Sequence, residues 1–180
     1  LTGWGIGMIQ SYGGAAAMIR AFASELPIVG IRPHLIRERA REVVGAFPGD
    51  VLYAVKCNDH PVVLEALYAA GVRHFDTASI KEIRLVRRLL PDAVCHFMHP
   101  VKSAEAIAEA YGVHGVRRFV LDHPRELDKI VAATGGARDL ELFVRLVVPG
   151  EGALLTLTGK FGTGPEDAVA LLRRAREVAS

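Results

Sequence analysis

Short runs of apolar residues alternate along this chain with longer stretches in which apolar residues recur every three or four positions. The regular pattern starts at Pro33. Ile36, Ala40, Val43, Val44 and Phe47 fall on one face, with Arg37, Glu38, Arg41 and Glu42 elsewhere, which predicts a helix over 33–47. Pro48-Gly49-Asp50 turns the chain. Residues 51–55 are then continuously apolar, as expected of a strand covered on both faces.

The same punctuation recurs downstream. Pro61 suits the first position of a helix, and Gly71 the residue just past its end. A strand is predicted at 73–75. Ser79-Ile80-Lys81-Glu82 reads as a capping box that opens the next helix. Strands follow at 94–98, 117–121 and 140–146. Between them, Ser103 caps a helix that stops near Gly112, and Pro124 opens one that ends at Gly135-Gly136. Pro165 opens the last helix, with Glu166 and Asp167 well placed in its first turn. Strand ends fall about 20 to 24 residues apart, room for one strand, one helix and two short loops, and so for parallel strands with right-handed crossovers. A barrel and an open doubly wound sheet both satisfy that rhythm.

Residues 1–26 are apolar and Gly-rich, but Gln10, Ser11 and Arg20 interrupt them. No run of about 20 apolar residues survives, so no membrane span is expected. Nor is there the basic start and compact apolar core of a secretory signal. Gly3, Gly5 and Gly7 follow no predicted strand, which argues against a phosphate loop. Residues 1–32 thus form an N-terminal segment with no assigned role, and 33–180 a partial β/α barrel. The chain has 180 residues and begins at Leu1. A complete (β/α)8 barrel needs about 250 residues, so a portion of a larger protein is expected.

Composition narrows the class. The chain is 51% hydrophobic and 23% charged, values of a globular protein. Its net charge of +2 gives no electrostatic case for nucleic acid. Cys57 and Cys95 are too few for a disulfide framework or a zinc ligand pair. They are expected to be reduced, buried thiols, which fits a cytoplasmic protein.

In a β/α barrel the active site lies at the C-terminal ends of the strands. Lys56, Asp76, His99, Asp122 and Arg145 occupy those positions here. Loop starts are polar in most proteins, so the pattern alone leaves a site and an ordinary surface both open. Lys56 closes an apolar run, so its amine is expected at the rim of a low-dielectric core. Burial there would favour the neutral amine that forms a Schiff base. The alternative is a lysine whose stem lies on the rim and whose charge reaches water. His96 and His99 point to opposite faces of a strand, so no shared metal is expected. His34, His60, His74, His114 and His123 read as loop or helix-end residues. Arg84, Arg87 and Arg88 read as a solvated helix face, and Tyr53 and Phe75 as core.

Five blocks carry a resemblance. Tyr53-Ala54-Val55-Lys56-Cys57-Asn58 resembles the pyridoxal-phosphate lysine motif of the ornithine decarboxylase family, group IV of the decarboxylases. Phe75-Asp76-Thr77-Ala78-Ser79-Ile80-Lys81-Glu82-Ile83 resembles the family's second motif. His99-Pro100-Val101-Lys102 is similar to a third, with His99 where eukaryotic members usually carry Asn. Leu142-Phe143-Val144-Arg145-Leu146 resembles the strand that supplies the family's active-site arginine, and Lys160-Phe161-Gly162 a further block. All five fall in family order at nearly family spacing.

The resemblance implies an alanine-racemase-like (β/α)8 barrel, here in part, and a β-rich second domain absent from this chain. It implies that Lys56 holds pyridoxal 5′-phosphate as a Schiff base, with Asp76 beside it. Asp76 has a second reading as dipole partner of the following helix. Glu82 corresponds to an acid near the site, although the capping box accounts for it equally. Arg145 would join the cofactor's polar shell; otherwise it is a strand-end arginine paired at the surface. Lys160 would make an ion pair across a homodimer interface. The implied activity is decarboxylation of a small basic amino acid, ornithine or lysine or a related diamino acid, to a polyamine precursor. A non-catalytic regulatory relative, a diaminopimelate or arginine decarboxylase, a racemase and a phosphosugar-binding barrel stay open. The family's ring-stacking histidine, phosphate loop and acid facing the pyridine nitrogen are expected beyond Ser180, so these 180 residues alone are expected to be inactive.

Overall fold

The computed structural model describes residues 10–21, 27–147 and 160–179. They belong to two compact units, Leu1–Arg32 and Pro33–Ser180. The first contains one described helix, α1 (Ala15–Ala21), which buries none of its residues. Three consecutive alanines, the strongest helix formers, start it. The sequence pattern had predicted no element there.

The second unit alternates strand and helix. Helix α2 (Pro33–Ala46) precedes β1 (Leu52–Ala54), which runs into a single 3-10 turn, Val55–Cys57. Then come α3 (Pro61–Ala69), β2 (His74–Thr77), α4 (Ile80–Leu89), β3 (Val94–Phe97) and α5 (Ala104–Gly112). The series closes with β4 (Arg118–Leu121), α6 (Pro124–Ala133), β5 (Glu141–Val144) and α7 (Pro165–Ala179). The expected caps start the helices. Ser79 Oγ accepts from Glu82 N in α4, and Ser103 Oγ from Ala106 N in α5. His60 and His123 cap α3 and α6 by accepting on Nδ1 from Val62 N and Arg125 N, each just ahead of the proline that opens the helix.

All strand pairs are parallel, and the sheet order is β1-β2-β3-β4-β5. Order follows sequence without reversal. A doubly wound sheet reverses order at a switch point, so this one follows barrel winding. One row of register partners runs Ala54, Asp76, His96, Arg118, Glu141. It begins at the last residue of β1 and ends at the first of β5, the diagonal that strand tilt gives a closing barrel.

The sheet has two unlike faces. Phe75, Thr77, Phe97, Phe119 and Leu121 point under the helices and are buried. Leu64, Ile83, Val86, Ile107, Leu127 and Ile130 cover them. The other face carries His74, Asp76, His96, Arg118 and Glu141, because side chains alternate along a strand. His74 is therefore a strand residue and not the loop residue that was expected. Its ring lies 2.9 Å from that of His96 and 3.4 Å from Asp50.

Two further expectations are corrected. The first apolar run is not a strand covered on both faces. Among the described residues β1 pairs with β2 alone, and Leu52 is 37% exposed. Of residues 51–55, Val55 alone is fully buried. Cys57, on the turn after β1, is exposed and not buried as expected; Cys95, on the helix-facing side of β3, is buried as expected. Burial pushes the Cys95 thiol up to about 11.

Candidate active site

Strand exits bring the predicted residues to one end of the sheet. Lys56 sits in the turn after β1 and is exposed. The buried rim expected there is not found: among the described residues β1 has no second neighbouring strand to wall in the side chain that follows it. Among the described residues, no hydrogen bond or ion pair engages its amine. Asp76 is the third residue of β2 and is half-buried. Burial pushes its carboxyl above the usual carboxylate range, and the charges of Lys56 and then Arg145 oppose that rise. Asp76 thus lies within electrostatic reach of both cations.

Arg145 follows β5 and is exposed. Its backbone is fixed at both ends, by Arg145 N donating to Leu121 O at 2.9 Å and Thr163 N donating to Arg145 O at 2.9 Å. Its guanidinium lies over the Phe161 ring, 5.6 Å from the centroid. The edge-on ring of His99, 5.3 Å away, also meets Phe161. The surface ion pair considered for Arg145 is not found among the described residues.

Glu82 spends both oxygens on the start of α4. Oε2 accepts from Ala78 N at 2.7 Å, and Oε1 lies 3.3 Å from the Ser79 hydroxyl. These bonds tie the exit of β2, and so Asp76, to the helix that follows. Lys160 is exposed on a turn two residues before Gly162, whose amide donates to Asp122 Oδ2 at 2.8 Å.

Sequence reading missed a buried charge cluster behind this rim. The Lys102 side chain is 0% exposed, and its ammonium contacts Glu126 Oε1 at 3.0 Å. It also donates to His99 O at 3.0 Å and Val120 O at 2.6 Å. Glu126 is shared with Lys129 at 2.6 Å. Desolvation pulls the Lys102 amine down, and the bonds to Glu126 counter it. Lys102 stood inside a recognised block, but nothing local marked its partner 24 residues away. Arg87 is also corrected. It is not a solvated charge, since its guanidinium donates to Pro91 O and, at 2.9 Å, to Ala93 O. Arg84 forms a bidentate pair with Glu109.

Among the described residues, no group of three or more His, Cys, Asp or Glu is placed to hold a metal ion. None of the described helices is long and apolar enough to cross a membrane. The available donors are of a different kind: an unengaged primary amine, a half-buried carboxylate and a guanidinium without a carboxylate partner. That set fits a group with an aldehyde for the amine and polar or anionic atoms for the arginine.

Sheet order, diagonal register and the donors at the strand exits define a portion of an alanine-racemase-like barrel. Residues 33–179 match the family model described as pyridoxal-dependent decarboxylase, pyridoxal binding domain. The chain belongs to that family, and the cofactor of this domain is pyridoxal phosphate. Lysine/ornithine decarboxylase from Selenomonas ruminantium is 38% identical over 128 residues, 71% of this chain and 31% of that protein. Among solved structures, arginine decarboxylase of Paramecium bursaria Chlorella virus, bound to agmatine, aligns with a TM-score of 0.71 at 27% identity. That alignment covers 82% of this chain and 39% of the viral one. Lysine/ornithine decarboxylase from Vibrio vulnificus, complexed with putrescine, aligns with a TM-score of 0.66 at 32% identity, over 82% of this chain and 37% of that one. The chain spans about a third of the length of the relatives it matches.

Proposed function

We propose that this chain is the cofactor-holding part of an enzyme that decarboxylates a small basic amino acid, ornithine or lysine or a related diamino acid, to a polyamine precursor. One observation carries the reading: Asp76, half-buried at the exit of β2, lies under the charges of both Lys56 and Arg145. Bound pyridoxal phosphate supplies an electron sink for cleavage of the bond to the substrate carboxylate. Lys56 would be the residue that holds the cofactor, through Nζ. Its unengaged amine suits that role. Asp76 would favour positive charge beside Lys56, since a nearby opposite charge stabilises a cation. Arg145 is a donor to the cofactor's polar atoms, held in place by its backbone bonds and by Phe161. Glu82 is the second acid of the proposed site. Its bonds to Ala78 and Ser79 suit a role in which it holds the exit of β2 and presents negative charge beside it.

The names of the relatives support a basic substrate, since they are lysine, ornithine and arginine decarboxylases. Lys160, exposed and two residues before the anchored Gly162, is our candidate for an ion pair across a homodimer interface. A cytoplasmic setting completes the proposal, supported by two cysteines that are free.

The test uses the full-length protein. It is loaded with pyridoxal phosphate, reduced with borohydride and mapped by peptide mass, with Lys56→Ala as control. Carbon dioxide release is then measured with ornithine, lysine, arginine and diaminopimelate. Label on Lys56 with release from ornithine or lysine supports the proposal. A labelled protein that releases nothing from any of the four is a binding or regulatory relative. A folded protein unlabelled at Lys56 ends the proposal.

A further inference from the structure

We propose that Asp122 is a positioning residue, whose carboxylate anchors the turn at Gly162 and thereby seats the Phe161 ring that holds Arg145 over the cofactor site. The inference rests on the proposed seat of the cofactor at Lys56, Asp76 and Arg145.

The tether is a single long-range bond. Asp122 follows β4, and its Oδ2 accepts from Gly162 N at 2.8 Å across 40 residues of sequence. The turn it holds is packed against the exit of β5. Thr163 N donates to Arg145 O at 2.9 Å, Val147 N donates to Thr163 O at 3.0 Å, and Leu146 bridges Thr163 in parallel. Gly162 has a φ of +103°, in the region that side chains avoid. A Cβ there would lie 3.0 Å from Val147 N and from Val147 Cγ2, and 3.1 Å from Leu146 C. The backbone is therefore pressed onto β5 at this one residue, and the bond to Asp122 fixes it from the β4 side.

Phe161 is the neighbour of that clamped glycine. Its ring receives the edge of His99 from the exit of β3, 5.3 Å between centroids, and the Arg145 guanidinium from the exit of β5. The ring thus links two strand exits, and the Asp122 carboxylate supplies the anchor from the third, between them. Without the bond, the Gly162 amide loses its charged acceptor and the turn swings on the remaining contacts to β5. Phe161 then leaves Arg145 free to point into solvent. Asp122 touches neither the reacting atoms nor the proposed cofactor donors, so its effect passes through Phe161.

The experiment uses the full-length protein loaded with pyridoxal phosphate, and three variants. Asp122→Asn keeps an acceptor oxygen for the Gly162 amide; Asp122→Ala removes it. Phe161→Leu keeps the tether and removes the ring. Hydrogen exchange reads the Gly162 amide, and a pH titration reads the midpoint of the bound cofactor's visible absorbance. In Asp122→Ala the amide is expected to exchange at least roughly tenfold faster, as loss of a charge-assisted bond implies. The absorbance midpoint should rise, because one fewer positive charge faces Lys56 and the cofactor. Asp122→Asn keeps a neutral acceptor, so its amide should stay better protected than in Asp122→Ala and its midpoint nearer to wild type. Phe161→Leu should keep the protected amide yet show the raised midpoint.

A protected Gly162 amide in Asp122→Ala overturns the inference. So does an Asn variant as disturbed as the Ala variant, or a Phe161→Leu midpoint equal to wild type. If Asp122→Ala does not fold, the Asn and Leu variants decide by the same readings. Failure of wild type to carry the cofactor on Lys56 sinks the proposed function instead, and the amide-exchange comparison still reports on the tether alone.

Discussion

His74 Nδ1 and His96 Nε2 lie 2.9 Å apart across β2 and β3, so the two rings share one hydrogen bond between neighbouring strands. The other nitrogen of His74, Nε2, faces Asp50 at 3.4 Å. The other nitrogen of His96, Nδ1, is buried and without a partner among the described residues.

This pair predicts a specific acid sensitivity. His96 is 5% exposed, and burial first, then Arg118 and His74, pull its pKa down from 6.5 to about 4, with Asp50 opposing. The unfolded chain binds its proton near 6.5 and the folded one near 4. Stability from this group is therefore intact above pH 6.5 and lost as pH falls toward 4. The full loss is about 3 kcal/mol. Urea unfolding of wild type and His96→Phe between pH 7 and pH 4 checks it. The variant should lack this part of the slope, and identical slopes would contradict the assignment.

The Lys102–Glu126 pair predicts an asymmetry. Glu126→Leu leaves a fully buried ammonium with backbone carbonyls as its remaining acceptors, and should cost about 3–5 kcal/mol. Lys102→Met leaves Glu126 still paired with Lys129, so it should cost less. Denaturant midpoints of the two variants decide; equal losses would mean that Lys129 does not support Glu126.

The α4 cap separates two roles of Glu82. Glu82→Gln keeps an oxygen for the Ala78 amide, and Glu82→Ala removes it. The Ala variant should lose about 1 kcal/mol, a typical capping contribution, and the Gln variant a fraction of that. If the Gln variant is stable but slow in carbon dioxide release, the charge of Glu82 serves the reaction. If it is both stable and fully active, Glu82 serves the helix alone.

Gly162→Ala should be costly for its size. The positive φ and the 3.0 Å approach to Val147 predict a loss of about 1–3 kcal/mol, against tenths of a kcal/mol for a typical surface alanine. Thermal unfolding of this variant beside Gly112→Ala, where a Cβ meets nothing within 4 Å, makes the comparison internal.

What was legible in the sequence was local. Ser79, Ser103, Pro61 and Pro124 start helices through contacts within one turn, so their positions could be read directly. Strand exits followed, and with them the places of Asp76 and Arg145. What was not legible depended on partners far along the chain. That β1 pairs with β2 alone among the described residues, with Lys56 exposed beyond it, follows from sheet order. The His74–His96 contact needs the β2–β3 register, and the hold of Asp122 on Gly162 spans 40 residues. Periodicity carries no signal for either.

The diagonal row from Ala54 to Glu141 also divides the labour of the sheet. Because the row descends as it crosses the strands, Asp76 stands near the exits, while Arg118 and Glu141, paired at 2.7 Å, begin their strands at the opposite mouth. A substitution at the exits thus leaves the Arg118–Glu141 pair, which joins β4 to β5 at the other mouth, untouched. The two ends of the sheet can be altered one at a time.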